Sequence, residues 1–247
     1  MTGVTLGGAV AAAAALYAAV GHGGASAYLA VMALAGMPAG DAASGALVLN
    51  LVVAGASCVA FAAPGRGGGR LLWLFAVGSV PAAFLGGWVR LPRGATDLLL
   101  AACLLAAAAR LWWPLPVNDD GAGDADVAPP PVSVALTAGA VIGFASGAVG
   151  IGGGVFLSPL LLLRGWAGPR RTAAPSAGFI VLNSLAGLAA RGLAGRFVPA
   201  AAWPWVLPAA AGGLVGAWAG SRWLSGRWLV RLLSGVLVVA ATRAALK

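Results

Sequence analysis

Apolar residues run in long blocks along this chain, and polar residues gather in the short gaps between them. The blocks fall at 4–20, 25–37, 42–63, 71–89 and 95–115, then at 132–149, 155–163, 173–190, 200–219 and 228–246. A helix crossing a bilayer takes about 20 apolar residues, and several blocks reach that length. The blocks at 25–37 and 155–163 do not, and each directly follows a glycine cluster, so they predict half-helices or re-entrant segments. In lipid the backbone must satisfy its own hydrogen bonds, which leaves helices as the structure for such blocks. The expected fold class is all-α: a polytopic helical membrane protein.

Composition narrows the function classes. Of 247 residues, 61% are hydrophobic and 9% charged, against roughly a quarter charged in a soluble domain. That excludes an ordinary soluble enzyme and a disordered chain. The net charge of +9 is not a nucleic-acid signal, because the arginines stand singly or in pairs at block ends. Examples are Arg66 and Arg70, Arg90 and Arg93, Arg170 and Arg171, and Arg191 and Arg196. Arginines so placed read as loop and interface anchors, not as a basic face with stacking aromatics. Cys58 and Cys103 lie inside apolar blocks and read as small hydrophobes. The N-terminus has no basic stretch before its first block and reads as a first membrane segment.

The chain divides in two. Residues 116–131, PVNDDGAGDADVAPPP, are acidic and rich in Pro and Gly, a linker by composition. On either side the same landmarks recur. VGHGG at 20–24 and LVLN at 47–50 match VGIGG at 149–153 and IVLN at 180–183. Gly21, Gly23 and Gly24 thus align with Gly150, Gly152 and Gly153, and Asn50 with Asn183, with four more residues in the second interval. Gly86 and Trp88 align with Gly216 and Trp218. The expected organisation is an N-terminal membrane repeat over 1–115, a linker over 116–131 and a C-terminal membrane repeat over 132–247. Each repeat carries four to five membrane segments and one Gly-broken half-helix. An odd number of crossings per repeat inverts the halves and an even number leaves them parallel. Repeats with Gly-interrupted segments at corresponding positions are common in secondary transporters and mark the substrate site.

The candidate chemistry gathers at these landmarks. Gly150, Gly152, Gly153 and Gly154 are dense enough to break a helix, and Gly21, Gly23 and Gly24 repeat the pattern. A broken helix frees N–H groups and presents the positive end of its dipole, which holds an anion without a buried cation. The competing reading is that small residues simply let helices pack closely. Asn50 and Asn183 are the only asparagines inside apolar blocks. A buried amide there either lines a cavity or bonds a neighbouring helix. His22, the only histidine, could donate to an anion or carry a proton, but its counterpart is Ile151, which can do neither. Ser26, Ser44, Ser146, Ser158 and Ser176 also lie near the breaks, where back-bonding to the preceding turn is the default. Asp41 reads as an N-cap.

GFASGAVGIGGGVFLSPLLLL at 143–163 with APSAGFIVLNSLAG at 174–187 resembles the signature of the sulfite exporter TauE/SafE family of membrane permeases. VGHGGASAYLAVMAL at 20–34 with ASGALVLNLVVAG at 43–55 is similar to that family's N-terminal repeat, with His22 and Ala25 replacing residues of a full GIGGG. The resemblance implies a permease of about eight membrane segments exporting small sulfur-containing anions such as sulfite or organosulfonates. It further implies that Gly150, Gly152, Gly153, Gly154 and the Asn183 region line the path.

The leading expectation is a secondary permease in the cell membrane, multi-pass, with no cofactor, no metal site and no Walker A sequence. Its substrate-binding set is Gly21, His22, Gly23, Gly24, Asn50, Ser146, Gly150, Gly152, Gly153, Gly154 and Asn183. The expected partners are a small anion and the lipid bilayer. A coupling proton or ion and a homo-oligomer stay open, and nucleic acid is excluded. Two alternatives compete. Ser146 in Phe-Ala-Ser-Gly suggests an intramembrane serine protease, which would need a histidine base within reach. A non-transporting structural membrane protein is the other.

Overall fold

The computed structural model describes residues 3–61, 68–89, 129–197 and 202–224, with residues 92, 94, 228 and 231 as isolated positions. The expected segments at 95–115 and 228–246 and the linker at 116–131 lie outside the described residues, apart from 129–131 and those isolated positions. The described residues form eight helices and no strand. In chain order they are α1 (Gly3–Ala19), α2 (Ala25–Leu34), α3 (Ala39–Phe61) and α4 (Gly68–Trp88). There follow α5 (Val132–Val149), α6 (Gly154–Leu163), α7 (Pro169–Leu193) and α8 (Trp203–Trp223). Four of them, α3, α4, α5 and α7, are long and apolar enough to cross a membrane. The helices α2 and α6 are 10 residues each, about half a crossing at 1.5 Å per residue.

The helices form by exclusion of alternatives. Their interiors are Ala, Leu, Val and Gly with few competing polar groups, and α5 stops at Gly150, whose left-handed backbone ends the ladder. Asp41 lies in the first turn of α3, not before it, so it meets the helix dipole as a first-turn acid, not as a capping side chain.

The packing is interleaved. The pair α1 and α8 and the pair α4 and α5 are the closest-packed, and α7 lies against both α3 and α4. Within each close pair the helices run parallel. Positions Gly212, Gly216 and Gly220 of α8 face the carbonyls of Ala11, Ala15 and Ala19 on α1. Positions Gly139, Gly143 and Gly147 of α5 face those of Phe75, Ser79 and Ala83 on α4. At each of these glycines even a methyl group would collide with a backbone oxygen, so the small side chain is the condition for the contact. By contrast α3 and α7 run antiparallel, with Leu47 beside Gly187 and Cys58 beside Gly178.

Two apolar clusters flank the centre. One surrounds α2, with Tyr28, Met32, Leu49 and Val53. The other surrounds α6, with Phe75, Leu157, Leu161 and Phe179. On the outside, Val77, Leu85, Val141, Leu207, Leu214 and Val215 are all more than half exposed. A belt of bare aliphatic side chains is stable against acyl chains, where water would penalise it.

Candidate functional site

Both glycine clusters interrupt the helices. The helix α1 closes with Gly21 N–H donating to Ala18 O (3.0 Å) and His22 N–H to Tyr17 O (2.8 Å). Helix α5 closes in kind, with Gly150 N–H and Ile151 N–H both donating to Ser146 O at 2.8 and 3.1 Å. The chain then turns through left-handed backbone at Gly21 and Gly24 in the first break, and at Gly150, Gly152 and Gly153 in the second, with φ between 79° and 94°. Such angles suit glycine and strain any residue with a Cβ, which explains why these breaks are written in glycine. Every residue from Val20 to Ala25 and from Val149 to Val155 is buried.

The breaks meet. His22 Nε2 lies 3.1 Å from Gly154 O, and Nδ1 lies 3.0 Å from Val20 O. Asn50 Nδ2 donates across to Ile151 O (3.0 Å). A Cβ on Gly23 would strike Asn50 and Ile180, and a Cβ on Gly152 would strike Asn50, Ile180 and Ser184. Asn50 and Ile180 therefore stand where the two interrupted segments touch. Asn183 accepts from Ser79 Oγ (2.8 Å) and points Nδ2 at Gly152 O (3.5 Å). Both asparagines thus tie down the second break, one from α3 and one from α7.

From this junction α2 and α6 run outward, and their N-termini converge on it. Among the described residues, the N–H groups of Gly23, Gly24, Ala25 and Ser26 donate to no backbone carbonyl. The same holds for Gly152, Gly153, Gly154 and Val155. These are the orphan donors of a helix start. Four polar side-chain atoms nearby are also buried without a partner among the described residues: Asn50 Oδ1, Ser146 Oγ, Ser184 Oγ and Tyr28 OH. A hydroxyl or amide so placed costs about 1–3 kcal/mol unless something pairs with it. The arrangement offers an oxyanion backbone N–H groups, three hydroxyls and the partial positive ends of two helices.

Contacts join His22, Gly23, Asn50, Gly152, Gly153, Gly154 and Asn183 at one junction, with Gly24 beside them at the start of α2. Gly21 lies instead against Ala173 and Gly150 against Ala43, and the Ser146 hydroxyl has no hydrogen-bond partner among the described residues. Ile180, Ser184 and Ser79 also belong to the junction. Ile180 and Ser184 flank the asparagine motif on the same face of α7, whereas nothing in the sequence marks Ser79. The other serines divide as hydroxyls in helices do. Ser44 back-bonds to Gly40 O (3.1 Å), Ser158 donates to Ser176 (2.7 Å), and Ser26 pairs with the Tyr17 hydroxyl (2.6 Å). Both nitrogens of His22 face carbonyls, so no bond links them to Ser146, and the dyad a serine protease needs is not formed. Arg191, read from sequence as an interface anchor, is instead 5% exposed, because α7 carries it inward onto the end of α5.

Comparison with known proteins gives the arrangement its context. Over 92% of both chains, this one is 37% identical to "Probable membrane transporter protein y4hK" of Sinorhizobium fredii (strain NBRC 101917 / NGR234). No solved structure matches. The model of the sulfite exporter TauE/SafE family matches residues 6–244, nearly the full length. With its apolar spans, this makes the chain a multi-pass protein of the cell membrane. It belongs to the sulfite exporter TauE/SafE family of membrane transporters.

Proposed function

We propose that the protein is a secondary permease that exports small oxyanions, sulfite or organosulfonates, across the cell membrane. The observation that carries this reading is the convergence of the α2 and α6 N-termini, with unpaired N–H groups, on a buried junction held by Asn50. A desolvated anion is costly in lipid, and two helix starts with orphan donors repay that cost without a counter-charge. On this reading Gly21, His22, Gly23, Gly24, Asn50, Ser146, Gly150, Gly152, Gly153, Gly154 and Asn183 contact or shape the path of the anion. The segments 1–115 and 132–247 act as two repeats about the linker 116–131. The reciprocal packing of α1 on α8 and α4 on α5 supports that reading. So does the antiparallel run of α3 and α7, which is the relation of inverted halves.

The test is flux from proteoliposomes containing the full chain and loaded in turn with labelled sulfite, a short alkanesulfonate, thiosulfate and potassium. Sulfite or the sulfonate should leave faster than from empty liposomes, and potassium should not. Gly153→Val should remove the flux, because its side chain would enter left-handed backbone against Phe179 and Asn183. Membrane insertion should persist. Flux of none of the three anions, or wild-type flux in Gly153→Val, overturns the proposal.

A further inference from the structure

Two cations stand at one end of the bundle with no negative group to face among the described residues. Arg191 Nη2 reaches the last carbonyls of α5, Gly147 O and Ala148 O, both at 3.4 Å. Arg196 Nη2 donates to the last carbonyls of α4, Gly87 O (2.6 Å) and Trp88 O (2.7 Å). The turn after α7 ties them together, with Arg196 N–H donating to Arg191 O (2.8 Å), and the two charges are close enough to act on one another. The Nε of each is buried with no partner among the described residues. Asp41 is the only carboxylate among those residues, and no ion pair there includes either arginine.

Helix capping alone does not account for them. Ala18 stands three residues before Gly21, and Gly147 three before Gly150, so the two carbonyls are counterparts. In the first half the Ala18 carbonyl accepts from Gly21 N–H (3.0 Å), and beside it stands only Ser57 Oγ (3.4 Å), which also reaches Val53 O of its own helix at 3.1 Å. A neutral hydroxyl suffices at that place. In the second half α7 puts a guanidinium there and adds a second beside it. Arg191 is buried and Arg196 beside it partly so; like charges side by side repel, and a buried cation with no compensating charge is costly.

We infer that Arg191 and Arg196 form an anion station at the α4, α5 and α7 ends, about 12 Å along α7 from Asn183 by helix rise, which holds a small oxyanion on its way to or from the junction. The long 3.4 Å contacts and free Nε of Arg191 leave its fork able to take a bidentate oxyanion. The inference rests on the permease reading only for the words about passage. Binding at the station stands by itself.

The experiment uses the purified full-length protein in detergent, with sulfite as the probe and the sulfite-dependent rise in thermal midpoint as the readout. Arg191→Gln and Arg191→Ser keep a cap and remove the charge, while Arg191→Lys keeps the charge. The Gln and Ser variants should need about tenfold more sulfite for the same rise, as the loss of a charged hydrogen bond implies, and Lys should stay near wild type. Arg196→Gln should behave as Arg191→Gln does. A Gln variant with wild-type sulfite dependence overturns the station, whatever its ligand-free midpoint, and so does a wild-type protein with no sulfite-dependent rise. Sulfite flux that is unchanged in Arg191→Gln overturns the station's part in passage and leaves the permease. Binding that depends on Arg191 without flux in wild type removes the permease and leaves the station.

Discussion

At the scale of single residues, the junction depends on a few amides and hydroxyls whose partners are fixed. Ser79 Oγ donates to Asn183 Oδ1 at 2.8 Å, and both residues are fully buried. Replacing Asn183 by Leu leaves the Ser79 hydroxyl stranded and should cost about 1–3 kcal/mol. In the double variant with Ser79→Ala the stranded donor is gone, so its cost should fall below the sum of the single ones. Thermal unfolding in detergent measures the cycle, and additive losses would mean the pair is not coupled. Gly23→Ala probes the opposite side of the site. Its methyl group would press Asn50 away from Ile151 O, so anion affinity should fall more than folded yield. A parallel fall in both would assign Asn50 to packing alone. The candidate residues were legible because glycine density and lone polar residues stand out in an apolar chain. Ser79 and Ser184 were not, since a serine in an apolar helix normally bonds its own preceding turn.

At the scale of helices, the seams decide stability. Gly212, Gly216 and Gly220 let α8 lie against the bare backbone of α1. Gly216→Leu would push the two apart and should lower the thermal midpoint strongly, with reduced yield in membranes. Gly55, inside α3, has open space around it and no left-handed backbone. Gly55→Ala should therefore leave stability unchanged or raise it by up to about 1 kcal/mol. Equal effects at the two positions would contradict the seam. The half-helices and their breaks were readable from block length and glycine spacing. The choice of partner was not, because an Ala- and Gly-rich helix carries small residues on several faces, and only the assembled bundle selects among them.

For the whole molecule, the contacts fix the relative direction of α1 and α5, which arginine placement left open because arginines follow nearly every block. The end of α1 sits at the start of α7, where Gly21 meets Ala173, and the end of α5 sits at the start of α3, where Gly150 meets Ala43. Since α3 and α7 are antiparallel, α1 and α5 start from opposite faces. Val4→Cys and Val132→Cys, in a chain with Cys58 and Cys103 replaced by Ser, should then be labelled from opposite sides of intact cells by an impermeant maleimide. Both positions are well exposed. Labelling of both from one side would refute the arrangement.

The converging starts of α2 and α6 also govern what stays put. Each contributes roughly half a positive charge at the midpoint, and no carboxylate among the described residues offsets them there. A sodium or potassium ion approaching from either compartment climbs the same electrostatic hill, the device by which half-helix ends turn cations away in other pores. On the permease reading, the junction admits anions while keeping these cations out.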